Sequence, residues 1–597
     1  MPGIAGIISR RPALECEARV KAMIASMQHA VFYKSGTCSV PQMGIYGGWV
    51  VLEDSASQNF SNEQENVTLL FSGECFLDSE VATGKKLIQL YEQFGQKFFE
   101  RLNGLFNGLL IDQRQSKAFL FNDRYGSQRI YFHESNGDCY FASEAKALLR
   151  ILPELREFDS EGVTQFLAFG CTLDWQSVFR GIQILPGASL WTFENGNCRK
   201  KTYFSSETWE EQPTLLPEAF ESKFQETFKR ILPRYFSTDS KIGIALTGGL
   251  DTRMIMACRP QNGHNPTSYT FTGETGETLD DKIAGRVAAV CGLEHKLLRL
   301  RPDFFSDFAA HADKTVFVTD GCFGISGAHE IYFHRQAREL ATVRITGNYG
   351  SEILRGISTF KPVPLSPELF NSDFGKAVNQ TAQRPGDRKQ STTFAAFKEI
   401  PWNLFGSLAA GRSQINFRTP YLDNELVALA YQSPKAIRKS SLAASRLVKA
   451  NSKILSEIPT DRGFAGDNFG LKYLCRRAFA EVTFKTDYYN NEGLPRRLSP
   501  FDPAFKFVTS KLKLAGLHKY LNYSGWFRKQ LAAYVKQKLS DPQMRQGLFF
   551  NPDFLEQMVE RHVGGKENFA LEINSVLTLE SIERQLFKEL PRGLEAN

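Results

Sequence analysis

The sequence predicts an α/β protein in two parts, an α+β N-terminal half of layered sheets followed by a half built on a parallel sheet. Three observations carry that expectation. From Met1 to about Tyr203, short apolar or alternating runs are punctuated by Gly, Asn, Asp and Ser, as strands and hairpins are. From about Glu218, apolar strands alternate with helical periodicities, the texture of a parallel sheet with crossover helices. Beyond about Arg384 the pattern is helical to the end, with no internal repeat or low-complexity tract.

The strand-like runs of the first half are GIAGII, MGIYGGWVVL, VTLLFSG, LFNGLLID, KAFLFND, RIYFH, CYFASE and ASLWTF. A helix is predicted over 85–102, where Leu87, Leu90, Tyr91, Phe94, Phe98 and Leu102 recur at helical spacing around Gly95. Residues 205–217 are polar with two prolines and read as a linker, giving domains at 1–205 and 218–597. In the second half, KIGIALTGG, SYTFTGETGE and VRITGNYGSE read as strands running into turns. DKIAGRVAAVCG reads as a helix with Ile283, Val287 and Val290 on one face.

Composition excludes several classes. The chain has 597 residues, 42% hydrophobic and 23% charged, as an ordinary globular protein has, so global disorder is out. Lys and Arg number 72 and Asp and Glu 65, a net +7 spread without basic runs, so nucleic acid is not an expected partner. Ten cysteines without a CxxC pair form neither a disulfide framework nor a zinc site. The start lacks a signal-peptide pattern and no apolar stretch nears ~18 residues, so a cytoplasmic protein without a membrane partner is expected. His329-Glu330 and His334 do not make the H-E-x-x-H spacing of a zinc protease.

The most informative segment is 241–256, KIGIALTGGLDTRMIM. Two glycines between an apolar strand and a helix let backbone N–H groups approach an anion, and the helix start adds positive potential. Thr247 and Thr252 offer hydroxyls. Asp251 suits a phosphate site when a divalent cation lies between the charges. The same turn, with Asp251 as a capping residue, would also simply start a helix.

LTGGLDT resembles the S-G-G-x-D-S pyrophosphate loop of enzymes that cleave ATP to AMP and pyrophosphate. These include asparagine synthetase, argininosuccinate synthetase and tRNA-modifying ligases. Residues 101–147 resemble the glutaminase domain of glutamine-hydrolysing asparagine synthetase in three runs: RLNGLFNGLL, NDRYGSQRIYF and FASEAKAL. FRTPYLD at 417–423 is similar to that family's V-P-F-L-D segment, and LTLESIERQLF to a late helix. The resemblance implies a degenerate Ntn-type glutaminase-like sandwich followed by an ATP-pyrophosphatase domain with a helical C-terminal part.

The departures bear on function. The family's nucleophilic Cys is Pro2 here, with Cys16 the nearest thiol. Its H-R-G-P-D loop reads His29-Ala30-Val31-Phe32-Tyr33, and its N-G-E reads Ser72-Gly73-Glu74. The Arg that clamps the glutamine carboxylate falls in Tyr46-Gly47-Gly48, and the Asp that holds the amine near Thr83. These changes together imply a dead glutaminase. The family's G-E-G-x-D-E reads Gly347-Asn348-Tyr349-Gly350-Ser351-Glu352, which makes Glu352 the second metal carboxylate beside Asp251. Tyr349 resembles the Tyr of β-lactam synthetase, which works with a Glu to deprotonate an amine, and Glu399, in the loop before FRTPYLD, is its candidate partner. A buried space-filling Tyr349 is the alternative. The family's R-P-K-x-G-F reads Pro459-Thr460-Asp461-Arg462-Gly463-Phe464, with Asp461 for the usual Lys and Arg462 as its substitute.

The resemblance thus implies ATP and Mg²⁺, with pyrophosphate held by Thr247, Gly248, Gly249, Asp251, Thr252 and Gly347, and adenine near Leu246 and Phe271. A carboxylate is adenylated and an amine forms the amide, on a small-molecule or peptide substrate carrying both groups, as in β-lactam synthetases and lasso-peptide cyclases. A homodimer is compatible with this reading. Three others compete: asparagine synthesis from aspartate with ammonia or glutamine, a tRNA-modifying enzyme, and a non-catalytic ATP-binding scaffold.

Overall fold

A computed structural model describes residues 1–55, 59–78, 80–261, 265–274, 276–384, 390–462, 471–492, 494, 498, 501–512, 517–518, 520–541 and 549–588. The first half holds strands β1 (Gly3–Ile8), β2 (Tyr33–Val40), β3 (Ile45–Leu52), β4 (Asn59–Ser61), β5 (Val67–Leu77), β6 (Glu80–Val81), β7 (Gly104–Asp112), β8 (Lys117–Asn122), β9 (Tyr131–Ser135), β10 (Asp138–Ala142), β11 (Gln183–Ile184), β12 (Ser189–Glu194) and β13 (Asn197–Thr202). Every strand-like run named above falls in one of them. They form two antiparallel sheets, ordered β11-β9-β10-β1-β3-β2 and β13-β12-β8-β7-β5-β4, with β6 on β5.

The period of two decides the layers. Leu70 of β5 joins Ile4 and Ile45 between the sheets, while its neighbours Leu69 and Phe71 pack with Leu87, Ile88 and Tyr91 of the helix Gly84–Phe94. The helix Ala13–Met27 covers the far side of β3. Adjacent glycines fit this sandwich: a Cβ on Gly47 would lie 2.5 Å from Leu70, and one on Gly48 2.6 Å from Ile24 of that helix. The helix predicted over 85–102 is divided, because Gly95 turns to φ +55° and hands over to a 3₁₀ turn and the short helix Phe98–Arg101.

The second half is built on β14 (Ile242–Ala245), β15 (Thr267–Thr272), β16 (His295–Arg299), β17 (Val343–Ile345) and β18 (Asn416–Arg418), all parallel in the order β16-β15-β14-β17-β18. The order reverses at β14, so the carboxyl ends of β14 and β17 flank a topological switch point. The helix Leu279–Val290 starts at a capping box of Thr278 and Asp281 and buries Ile283 and Val287. Val290, its last residue, is 42% exposed and does not share that face.

Residues 205–217 are not a loose tether. They contain the short helix Glu207–Glu210, and Trp209 is buried beside Phe204, Phe397 and Tyr431 with Arg124 over its ring. An aromatic side chain of this size gains enough by burial to pin the segment. The halves are also stitched by polar contacts. Tyr33 donates to the Ser413 carbonyl (2.7 Å), Tyr125 to Asn424 Oδ1 (3.0 Å), and Arg418 grips the Glu74 carboxylate (2.6 and 2.8 Å). Among the described residues no helix is long and apolar enough to cross a membrane.

Candidate active site

The turn after β14 runs into the helix Leu250–Ala257, with Asp251 in its first turn. Gly248 has no room for a side chain, since a Cβ there would lie 2.6 Å from Asp280 Oδ1 and 3.0 Å from Asp461 Cβ. The Gly249 N–H donates to Thr247 Oγ1 (3.3 Å), whose oxygen lies 3.4 Å from Thr252 Oγ1. Beneath the turn, the fully buried Arg253 donates to the carbonyls of Gly248, Ile458 and Pro459. Arg253 ties the turn to the segment carrying Asp461, a link the sequence did not show.

The turn after β17 closes on the same place. A Cβ on Gly347 would lie 2.7 Å from the Thr252 nitrogen, and one on Gly350 2.6 Å from Asp251 Cγ. The two loops predicted to share a site therefore do meet, with glycine where they touch. Asp251 accepts from Ser351 Oγ (2.8 Å) and pairs with Arg355 (2.9 Å), and Tyr421 donates to its backbone carbonyl (2.6 Å). Burial raises the Asp251 carboxyl above its usual range, with Arg355 opposing. Glu352 is pushed up to about 7 by burial and by the charges of Asp251 and Glu399. Asp251 and Glu352, both raised by burial and the second also by the charge of the first, are an all-oxygen, anionic donor set that fits Mg²⁺. Among the described residues no group of three His, Cys, Asp or Glu forms a ready metal cage.

Tyr349 is the start of the short helix Gly350–Arg355, in the left-handed region at φ +74° and 6% exposed. A bulky residue there costs about 1–3 kcal/mol, a strain of the kind found at functional turns. Glu399 is not in a loop but closes the π-helical turn Ala395–Glu399, where Pro401 two residues on supplies no N–H. Its Oε1 accepts from the N–H groups of Thr359 (2.7 Å) and Phe360 (3.0 Å) and from Thr359 Oγ1 (3.1 Å). Its Oε2 is buried without a partner. No hydrogen bond joins Tyr349 to Glu399, so the expected dyad is not assembled. Burial raises the Tyr349 phenol, and Arg412 is the leading charge that opposes the shift.

Arg462 stacks on Phe484 at 3.4 Å and lies 3.5 Å from Asp461, and its charge acts on Asp280 beside the glycine turn. Gly463 and Phe464 of the same motif lie outside the described residues. Leu246 already spends its backbone on β15: its N–H donates to the Tyr269 carbonyl (2.9 Å) and its carbonyl accepts from Thr270 Oγ1 (2.8 Å). Phe271, expected near adenine, stacks on Phe333 (4.7 Å, 14°) with Arg344 over its ring.

Asp280 was missed in the sequence. Its Oδ1 accepts from the Gly248 N–H (2.8 Å), where a phosphate oxygen would sit, and burial together with the Asp461 charge pushes its carboxyl up to about 7. The sign follows from linkage: between the ordinary carboxyl range and about pH 7 the folded state holds a proton the unfolded chain has released. Asp280 therefore makes stability fall as pH rises through that window. Asp280→Asn is expected to flatten the decline in urea midpoint between pH 5 and 7 relative to wild type, by up to about 1.4 kcal/mol per pH unit. Identical slopes would contradict this.

In the first half the expected glutaminase positions have other duties. Pro2, Gly73 and Glu74 line a cavity at the boundary of the halves that no cysteine of the described residues lines. Cys16 is buried in the helix Ala13–Met27. Ser72 Oγ is buried without a partner, Gly73 sits at φ +100°, and Thr83 caps the helix Gly84–Phe94 through Lys86 N (3.3 Å). No Arg could stand at Gly47 or Gly48 between Leu70 and Ile24. His29 lies 2.9 Å from Glu144, which is ion-paired with Lys146, and Lys146 reaches Asp320 of the other half (2.9 Å). The FASEAKAL run thus staples the halves together.

Residues 1–204 match the glutamine amidotransferase domain family, and residues 223–404 the asparagine synthase family. Among curated proteins, asparagine synthetase [glutamine-hydrolyzing] 1 of Bacillus subtilis is 21% identical over 334 residues, 53% of this chain and 51% of that protein. Asparagine synthetase [glutamine-hydrolyzing] 2 of the same organism is 23% identical over 467 residues, 65% of this chain and 60% of that protein. The Arabidopsis thaliana protein of that name, also numbered 2, is 22% identical over 418 residues, covering 63% and 61%. The chain spans about half to three-fifths of the length of these relatives.

Proposed function

The chain belongs to the asparagine synthetase family, and from that membership we propose that it is an ATP-dependent, AMP-forming carbon–nitrogen ligase that does not hydrolyse glutamine. The observation that carries the ligase reading is the meeting of two glycine-lined loops at a switch point, with Asp251 and Glu352 between them. A phosphate would take the Gly248 N–H from Asp280, and Thr247 and Thr252 hydroxyls would donate beside it at the helix start. Asp251 and Glu352 would hold Mg²⁺, which offsets the charge of the leaving pyrophosphate. Arg355, four residues after Ser351, is placed to pass from Asp251 to a phosphate oxygen. A substrate carboxylate oxygen attacks the α-phosphorus and pyrophosphate leaves; an amine then attacks the acyl carbon and AMP leaves.

The loss of glutamine hydrolysis rests on Pro2, on the cavity without cysteine, and on the packing that fills Gly47 and Gly48. We expect no glutamate release from glutamine, either by wild type or by Pro2→Cys, because a thiol alone restores neither clamp. The deciding experiment measures AMP and pyrophosphate release with aspartate plus ammonium or glutamine, alongside asparagine, and with a pool of amino-carboxylate substrates. Turnover only with the pool supports a dedicated amide ligase. Asparagine from ammonium supports the second reading, favoured by the relatives' own activity, and asparagine from glutamine overturns the dead-glutaminase reading. No turnover at all leaves the scaffold reading.

A further inference from the structure

The boundary cavity holds two arginines in unlike states. It offers about 40 Å³ and is partly open to solvent, between Glu74 and Gln128 of the first half and Arg412, Asn416 and Arg418 of the second. Arg418 is fully spent: two nitrogens grip Glu74 and the third donates to the carbonyls of Tyr235 (3.0 Å) and Ser237 (3.1 Å). The side chain of Arg412, 7% exposed, makes one hydrogen bond among the described residues, from Nη1 to the Ser127 carbonyl (2.8 Å). Among the described residues no carboxylate lies within 4.0 Å of it and no aromatic ring stacks on it. The carboxylates whose charge acts on it, Asp123 and Glu74, are committed elsewhere. Asp123 accepts from the N–H groups of Tyr125, Ser127 and Gln128, and Glu74 is held by Arg418.

A guanidinium buried without a counter-ion is one of the least favourable groups a fold can carry. Burial presses Arg412 below the usual arginine range. Its unused nitrogens keep the planar fork that matches a carboxylate. The side-chain amides of Gln128 and Asn416, on the same cavity, make no hydrogen bond to any described residue and add free donors. Glu74 on the wall makes the cavity unfriendly to a dianion such as phosphate, and a single unpaired cation balances a single negative charge.

We propose that this cavity is a binding site for a small organic monocarboxylate, anchored by Arg412 with the Gln128 and Asn416 amides beside it. The cavity adjoins the loop after β17, since Thr419 on its wall donates to the Asn348 carbonyl (2.8 Å) and the Arg412 charge acts on Tyr349, but the proposal rests on Arg412 and not on the ligase reading.

The test is a thermal-shift and calorimetric titration of the full chain, without ATP, using acetate, propionate, L-alanine, succinate and inorganic phosphate. Saturable stabilisation by a monocarboxylate is expected. Arg412→Gln should weaken it about tenfold to a hundredfold, the worth of a charge-assisted bond, while melting no lower than wild type in the absence of ligand because the unpaired cation is gone. Should Arg412→Gln fold poorly, Gln128→Ala, which removes no charge, should weaken binding severalfold. Asp251→Ala should bind as wild type does, separating this site from the Asp251 carboxylate. Binding that survives in both cavity variants, stronger stabilisation by phosphate or succinate than by any monocarboxylate, or no stabilisation by any probe would overturn the proposal.

Discussion

Asp251→Ala abolishes ATP-dependent pyrophosphate release, with a loss of about 10²- to 10³-fold at saturating ATP, the scale of removing one preorganised electrostatic contact to developing charge. Asp251 is the carboxylate on which both loops converge: Ser351 and Arg355 reach it from the second loop, and a Cβ at Gly350 would strike it. Two variants separate chemistry from folding. Alanine leaves Arg355, 13% exposed, without its partner and lowers the melting temperature. Asn keeps an acceptor for Ser351 and melts closer to wild type, yet lacks the charge that binds Mg²⁺ and is as inactive as alanine. Pyrophosphate assays with both variants check this. Activity within tenfold of wild type in Asp251→Asn would remove the metal-binding role.

The strands and the first loop were legible in the sequence because their signals are local. Apolar runs bounded by Gly, Asn, Asp and Ser mark β5, β7 and β8, and a Gly-Gly pair between an apolar strand and a helical stretch marks the turn after β14. Contacts made across the fold were not. Asp280 stands in the first turn of a helix beside Asp281; Asp281 goes into the capping box, and only the approach of Gly248, 32 positions away, gives Asp280 its place. Glu74 and Arg418 are 344 positions apart. The Tyr349–Glu399 pairing came from resemblance alone, and this chain's own π-turn aims Glu399 at the amides of residues 359–360. Val290 was grouped by spacing, which does not register that a helix's last residue has left the sheet it covers.

The PYLD run at 420–423, which carried part of the resemblance, acts here as the bolt between the halves, and Asp423→Ala is expected to produce the largest loss of stability. Asp423 is fully buried. Its Oδ2 accepts from Tyr235 OH (2.8 Å), from Asn103 Nδ2 of the first half (3.1 Å) and from Arg234, while Oδ1 caps the helix Asn424–Tyr431 through Glu425 N (3.0 Å). Asn103 returns the contact by accepting from the Asn424 N–H (2.8 Å). Removing the carboxylate strands the buried Arg234, whose remaining partner Glu425 is 42% exposed and screened by water. Breaking a buried pair in this way costs about 3–5 kcal/mol, and the lost cap adds about 1 kcal/mol. Asp423→Asn keeps the cap and an acceptor and loses only the charge, so its midpoint should fall between wild type and alanine. Because the damage centres on the boundary, Asp423→Ala should also split the unfolding transition and open residues 205–217 to limited proteolysis. A single transition, with Asp423→Asn melting like wild type and Asp423→Ala about 1 kcal/mol below it, would mean that Asp423 serves the helix cap and not the joint between the halves.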